Sequence, residues 1–155
     1  IQDRVGQAGR VYQLIKFRTM YEGSDQIRLD TLGSLAGDPE AYRTDPRVTP
    51  FGRFLRRWSL DELPQLWNVL AGAMSLVGPR PMLTEELALL ATSDHRRHLV
   101  KPGMTGLWQV AGRKEVPWSE RMQMDLRYVE NWSPTMDLVI MTKTVKAVAT
   151  GKGAH

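Results

Sequence analysis

Residues 45–82 read DPRVTPFGRFLRRWSLDELPQLWNVLAGAMSLVGPRPM, and the prolines in this stretch leave the backbone few choices. A proline is tolerated only in about the first turn of a helix, because it lacks the amide hydrogen and crowds the preceding turn. Pro64 therefore places a helix start between Ser59 and Asp61, and Thr49-Pro50 launches an earlier short helix over Phe51 to Trp58. Ser59-x-x-Glu62 fits a capping box, in which hydroxyl and carboxylate satisfy each other's orphan backbone donors. Leu60, Leu63, Leu66, Trp67 and Leu70 recur at helical spacing and predict the buried face of a helix ending near Gly72. Asp61 and Glu62 then fall at a helix N-terminus, where the macrodipole favours anions. Arg53, Arg56 and Arg57 lie just upstream, on the polar side of the earlier helix. Adjacent helical residues do not face one another, so the two carboxylates converge only on something beyond the helix end, a metal ion or a phosphate. A plain capping box with an acidic first turn explains the tetrapeptide taken alone. Ser75 to Val77 reads as a short strand leading into Gly78-Pro79-Arg80-Pro81. Two prolines fix φ around Arg80, and a stiffly held guanidinium matches phosphate at two points.

The flanking chain is less constrained. Residues 1–20 read as extended chain around a turn near Gly6–Gly9, entering a strand from Val11 to Arg18; Arg4 and Arg18 are basic candidates there. Tyr21 to Pro46 is polar and rich in Gly, Asp and Pro, a long excursion. Leu83 to Ala91 reads as a helix with Glu85 and Glu86 in its first turn. In Asp94-His95-Arg96-Arg97-His98 the histidines have no third ligand close by, so the segment reads as a solvated or membrane-facing basic patch. Thr105 to Val110 reads as a strand between glycines. Pro117 to Trp132 is predicted helical, with Trp118, Met122, Leu126 and Val129 inward and Asp125 and Tyr128 on a neighbouring face. Ser133-Pro134 caps a last helix that runs to Thr150 and is closed by Gly151. Its stripe of Leu138, Met141, Val145, Val148 and Ala149 suits the core or a lipid interface, as do Trp58, Trp67, Trp108 and Trp132.

Composition narrows the function classes. A chain of 155 residues fits one domain with a sizeable core, and 42% hydrophobic with 25% charged residues excludes wholesale disorder. A net charge of +4 and a pI near 9.6 suit nucleic acid, an anionic membrane or a phosphorylated substrate. Nucleic acid is disfavoured, since the arginines sit beside a carboxylate pair and no recognised nucleic-acid motif occurs. With no cysteine there is neither a disulfide nor a thiolate metal site. No apolar run approaches the ~18–20 residues needed to span a bilayer.

The order of segments resembles the monotopic phosphoglycosyl transferases, bacterial sugar transferases that begin exopolysaccharide, capsule or O-antigen assembly. Residues 45–81 resemble that family's central signature; Gln2 and Arg4-Val5-Gly6 resemble its Q-x-R-x-G opening; Lys16-Phe17-Arg18-Thr19-Met20 resembles its K-F-[RK]-[ST]-M. Lys101 to Arg113, KPGMTGLWQVAGR, and Asp125-Leu126-Arg127-Tyr128-Val129 resemble two further motifs, and Gly151 to His155 resembles its glycine-rich end. These five motifs in the right order around the central signature are a specific match. The resemblance implies a helix-rich α+β catalytic domain with a few short strands, filling residues 1–155 and normally preceded by a re-entrant membrane helix. Ile1 lies inside the first motif, so that anchor is expected upstream of these residues and the enzyme at the cytoplasmic face of a bacterial inner membrane.

The resemblance also implies a reaction: a phosphosugar passes from a UDP-sugar to polyprenyl phosphate, giving polyprenyl-diphosphate-sugar and UMP. Asp61 would be the nucleophile, Glu62 would assist, and both would ligate Mg²⁺ (or Mn²⁺). Arg56 and Arg80 would hold phosphate oxygens, and Arg18, Gln109, Arg113 and Asp125 are further substrate-binding candidates, Asp125 equally as part of a structural salt bridge. The implied partners are the UDP-sugar, polyprenyl phosphate and membrane lipid, not nucleic acid, and a homo-oligomer is left open. A non-catalytic scaffold of polysaccharide assembly is the alternative, against which the intact acids and arginines argue.

Overall fold

Alternating short elements and sharp turns build this fold, and the computed structural model describes residues 1–24, 45–90, 92–112 and 116–150. Strand β1 (Gln2–Val5) pairs antiparallel with β2 (Val11–Leu14), Gln2 opposite Leu14 and Val5 opposite Val11. The turn between them falls at Gln7–Gly9, as the glycines predict. β2 stops at Leu14, so residues 15–18, expected to extend it, leave the sheet. Helix α1 (Pro50–Arg57) begins as predicted: Pro50 occupies its first turn and the Thr49 hydroxyl accepts the Gly52 amide at 2.8 Å.

The next turn departs from expectation. Ser59 has φ 53°, in the left-handed region, and makes no cap. Its amide donates to the Arg56 carbonyl at 3.1 Å, so it finishes α1 instead of starting the following helix. An N-cap needs extended backbone, which a left-handed residue cannot supply. Leu60–Glu62 therefore form a single 3-10 turn, and the α-helix proper, α2 (Gln65–Leu70), starts after Pro64. Its orientation is also inverted relative to the hydrophobic pattern. Gln65 and Asn68 are buried, whereas Leu63, Leu66, Trp67 (66% exposed) and Leu70 (80%) face outward. Asn68 explains the inversion. Its amide donates to the Gln13 carbonyl at 2.7 Å and accepts from the Ile15 amide at 3.0 Å, satisfying backbone where the first sheet ends.

Strand β3 (Ser75–Val77) is found where predicted and pairs in parallel with β4 (Gly103–Thr105), Ser75 opposite Gly103 and Val77 opposite Thr105. The two chains run so close at Gly78 that a Cβ there would lie 2.6 Å from the Lys101 carbonyl, and one on Gly103 would collide with the Gly78 backbone. The predicted strand over 105–110 is instead the end of β4 followed by helix α3 (Leu107–Ala111). Residues 84–89 coil as a 3-10 helix where an α-helix was expected, the Glu86 carboxylate accepting the Leu83 amide at 2.7 Å.

Helices α4 (Trp118–Glu130) and α5 (Pro134–Thr150) pack over the second sheet. α4 buries Met122, Asp125 and Tyr128, so Asp125 and Tyr128 belong to its inner face rather than to a neighbouring one. α5 buries Ile140 with Met136, Met141 and Thr144 beside it, leaving Leu138 and Val145 outside. Val77, Tyr128 and Ile140 form the centre of the core. The Tyr128 hydroxyl lies 2.8 Å from Asp137 and 3.2 Å from the Val77 carbonyl, joining both helices to β3. Thr105 and Thr144 hydroxyls meet at 2.7 Å. The result is α+β, helix-rich with a few short strands, and no helix among the described residues is long and apolar enough to cross a membrane. The excursion at 25–44, Gly151 and the glycine-rich end lie outside the described residues.

Candidate active site

The acid pair is held in place from the N-terminal segment. The Phe17 amide donates to the Asp61 carbonyl at 3.0 Å, pinning the 3-10 turn to the chain that leaves β2. α1 is docked to the same segment: Gly52 approaches the Thr19 carbonyl so closely that a Cβ would collide with it. Arg56, one turn later, donates from Nε to the Thr19 hydroxyl at 2.9 Å. Burial depresses the Arg56 pKa, while Asp61 and Asp45 counter by favouring its charged form. Asp45 is itself buried in an ion pair with Arg47 at 2.7 Å.

Lys16, which the family resemblance carries only as part of the Lys16–Met20 motif, joins this group. Its ammonium pKa is lowered by burial first, then by repulsion from Arg4, Arg80 and Arg56, with Asp61 acting in opposition. Three guanidiniums and one carboxylate thus act electrostatically on a single half-buried lysine. The available signal was a lysine within the apolar run Leu14-Ile15-Lys16-Phe17, a position that favours burial of the stem.

Arg80 closes the site. Its guanidinium stands 3.8 Å from Glu62 on one side and lies over the Trp108 ring, 5.7 Å from the centroid, on the other. The prolines are only part of what holds it. Arg97 donates to the Arg80 carbonyl at 2.8 Å, and the Arg80 amide donates to the Asp125 carboxylate. Arg97 and Asp125 are paired with one another at 2% and 1% exposure. A buried ion pair thus grips the Arg80 backbone on both sides. Burial pushes the Asp125 carboxyl up to about 6, against the pull of the Arg97 guanidinium.

The sequence-derived candidates therefore divide. Asp61, Glu62, Arg56 and Arg80 come together. Asp125 is enclosed and reaches the site only through Arg80, which corrects its assignment as a direct substrate contact and favours the salt-bridge alternative. Arg97 corrects the reading of residues 94–98 as a solvated patch, because burial between α4 and the Arg80 loop is what its pairing with Asp125 requires. Arg18 is exposed and pairs with Glu22 at 3.9 Å. Gln109, on α3, turns back onto β4, donating to the Met104 carbonyl at 3.1 Å. Arg113 lies outside the described residues.

Two carboxylates supply hard oxygen donors, and no group of three or more His, Cys, Asp or Glu converges among the described residues. Such a pair fits Mg²⁺ arriving with a diphosphate, since that ion is commonly held by one or two carboxylates with phosphate oxygens and water completing its shell.

A sequence model described as bacterial sugar transferase matches residues 1–151. The exopolysaccharide production protein ExoY of Sinorhizobium fredii is 43% identical over 158 residues, covering 98% of this chain and 70% of that protein. The undecaprenyl-phosphate galactose phosphotransferase of Salmonella typhimurium is 44% identical over 161 residues, 98% of this chain and 33% of its own length. A UDP-glucose:undecaprenyl-phosphate glucose-1-phosphate transferase of Xanthomonas campestris pv. campestris is 41% identical over 162 residues, 99% of this chain and 32% of that one. The chain thus spans about a third of the latter two relatives.

Proposed function

Since this chain belongs to the bacterial sugar transferase family, we propose that it moves a phosphosugar from a UDP-sugar to polyprenyl phosphate, releasing UMP. The observation that carries the reading is a carboxylate pair ringed by Lys16, Arg56 and Arg80. That arrangement suits a diphosphate, whose negative charge the cations offset while an acid attacks it.

In the first step an Asp61 carboxylate oxygen forms a bond to the sugar-bearing phosphorus. The bond from that phosphorus to the bridging oxygen breaks, and the electron pair leaves with UMP. In the second, a phosphate oxygen of the polyprenyl acceptor attacks the same phosphorus and returns the electrons to Asp61. Arg56 and Lys16 stabilise the equatorial oxygens near Asp61, and Arg80 holds oxygens on the Glu62 side. Asp61 and Glu62 would hold Mg²⁺ (or Mn²⁺), which supplies charge neutralisation to the diphosphate. The outward residues Phe51, Phe54, Leu63, Leu66, Trp67 and Leu70 flank the acids on both sides in sequence and suit a lipid surface, from which a polyprenyl phosphate would arrive. That surface is read as the cytoplasmic face of a bacterial inner membrane.

Incubation with UDP-sugars and polyprenyl phosphate, reading UMP release, tests the proposal. Asp61→Asn is expected to lose both UMP release and any phosphosugar adduct found by peptide mass spectrometry. Glu62→Gln is expected to slow turnover, and excess chelator to stop it. Normal turnover by Asp61→Asn, or an adduct on Glu62, would overturn the assignment.

A further inference from the structure

Of the three arginines on α1, Arg53 and Arg57 are exposed, whereas Arg56 is half-buried and donates from Nε to the Thr19 hydroxyl at 2.9 Å. Thr19 is itself 5% exposed, so this hydroxyl is shielded from water. Its carbonyl accepts the Thr49 amide at 3.0 Å, and Gly52 packs on that carbonyl with no room for a Cβ. Gly52 and Arg56 are four residues apart and share a helix face. The missing Cβ therefore lets the Thr19 backbone approach until its hydroxyl reaches the arginine one turn on. The same segment holds the acid, since the Phe17 amide donates to the Asp61 carbonyl at 3.0 Å. The Ser59 amide closes the frame by donating to the Arg56 carbonyl at 3.1 Å. The acid turn and the guanidinium thus hang from two positions of one short stretch of chain. A rival acceptor near α1, the Asp45 carboxylate, is taken up by Arg47, through Nε at 2.9 Å and a terminal nitrogen at 2.7 Å.

We propose that Thr19 is a positioning residue for the transfer reaction: its hydroxyl fixes the rotation of the Arg56 guanidinium so that the terminal nitrogens meet phosphate oxygens beside Asp61. The proposal deepens the function given above and rests on it for the identity of the ligand. A guanidinium has five N–H donors in a rigid fork, so a bond at Nε sets the direction of the other four. The two terminal nitrogens are the edge that fits two phosphate oxygens. A neutral hydroxyl orients that edge without neutralising it, which a carboxylate partner would do. The positive charge stays available to Asp61, which favours the charged form of Arg56, and to the incoming diphosphate. A free arginine side chain loses rotamer freedom when it grips a ligand, and one already held at Nε has less to lose. Arg80 and Arg56 are therefore aimed by different means, the first through its backbone and the second through its side chain.

Two measurements test this, one of the contact and one of turnover. In the ¹⁵N-labelled chain the Arg56 Nε–H resonance is assigned by its loss in Arg56→Lys. Thr19→Val is expected to shift that resonance and speed its exchange with solvent, while Thr19→Ser keeps it near its original position. In the UMP-release assay Thr19→Val is expected to lower kcat ~10–100-fold, the size of a lost hydrogen bond to a charged group, with KM for the UDP-sugar little changed. Thr19→Ser is expected to restore most of kcat, and Thr19→Val is expected to cost nothing further in an Arg56→Gln background. Thr49→Val removes the α1 cap without touching Arg56, so it should lower the melting temperature and keep kcat. An unaltered Nε–H resonance or wild-type kcat in Thr19→Val would overturn the proposal. So would a serine variant as slow as the valine one, additive losses with Arg56→Gln, or an equal fall in kcat for Thr49→Val. No turnover of any UDP-sugar by the unsubstituted protein, with the resonance still dependent on Thr19, would sink the reaction and leave the Thr19–Arg56 contact standing. Turnover with a resonance indifferent to Thr19 would do the reverse.

Discussion

The α1–α2 region and the α4–α5 region treat their polar and apolar residues in opposite ways. Around β3, the two long helices bury Tyr128 and Ile140 in the ordinary sense and also enclose the Arg97–Asp125 pair. Around the acids, α2 turns Gln65 and Asn68 inward and sends Leu66, Trp67 and Leu70 out. The first region is built to hold one object, the Arg80 backbone, in a fixed place. The second exposes apolar surface that does little for folding and suits the lipid contact proposed above. Arg80 lies where the two meet, its backbone gripped by the rigid region and its side chain reaching the acids.

The largest effect expected from breaking this contrast is at Asp125. Asp125→Asn leaves the Arg97 guanidinium buried without a counter-charge and should cost about 3–5 kcal/mol in urea unfolding. Replacing both partners with leucine removes the unpaired charge but strips the Arg80 amide and carbonyl of their partners. It should therefore recover only part of that stability, and transfer activity should stay low because nothing then grips Arg80. Full activity in the double variant would show that the pair is merely structural.

A paired truncation sharpens the comparison further. Ile140→Ala should cost about 2–5 kcal/mol, because a closely packed cavity cannot fully collapse. Leu70→Ala on the outward face should stay within about 0.5 kcal/mol while reducing binding to anionic vesicles. A large stability loss at Leu70 would mean that the α2 face is packed and not offered.

The smallest effect concerns pH. His98 titrates at about 4, lowered from 6.5 by burial first and then by Arg97 and His95. A depressed histidine binds its proton more readily when unfolded, so its presence destabilises the fold progressively as pH falls from 6.5 towards 4. Asp125, raised to about 6, titrates in the opposite sense, so the difference between variants is the quantity to read. His98→Gln should flatten the acid limb of a stability-versus-pH curve, and identical limbs would remove His98 from the account.

Local rules in the sequence determined much of this molecule. Thr49-Pro50 and Ser133-Pro134 set two helix starts, with Ser133 accepting the Met136 amide at 3.1 Å, because caps and prolines act within one turn of chain. The same locality placed β3, the turn at Gly6–Gly9 and the Arg80 loop. Tertiary structure decided which face of each helix is covered. Periodicity says that a helix has two faces; only a neighbour says which is inside. For α2 that neighbour was the unpaired backbone of Gln13 and Ile15, whose hydrogen-bonding demand outweighed the burial of four large side chains. It likewise turned 107–111 into a helix, enclosed Arg97 against Asp125, and drew Lys16 in among the arginines, since each depends on residues tens of positions away meeting in space.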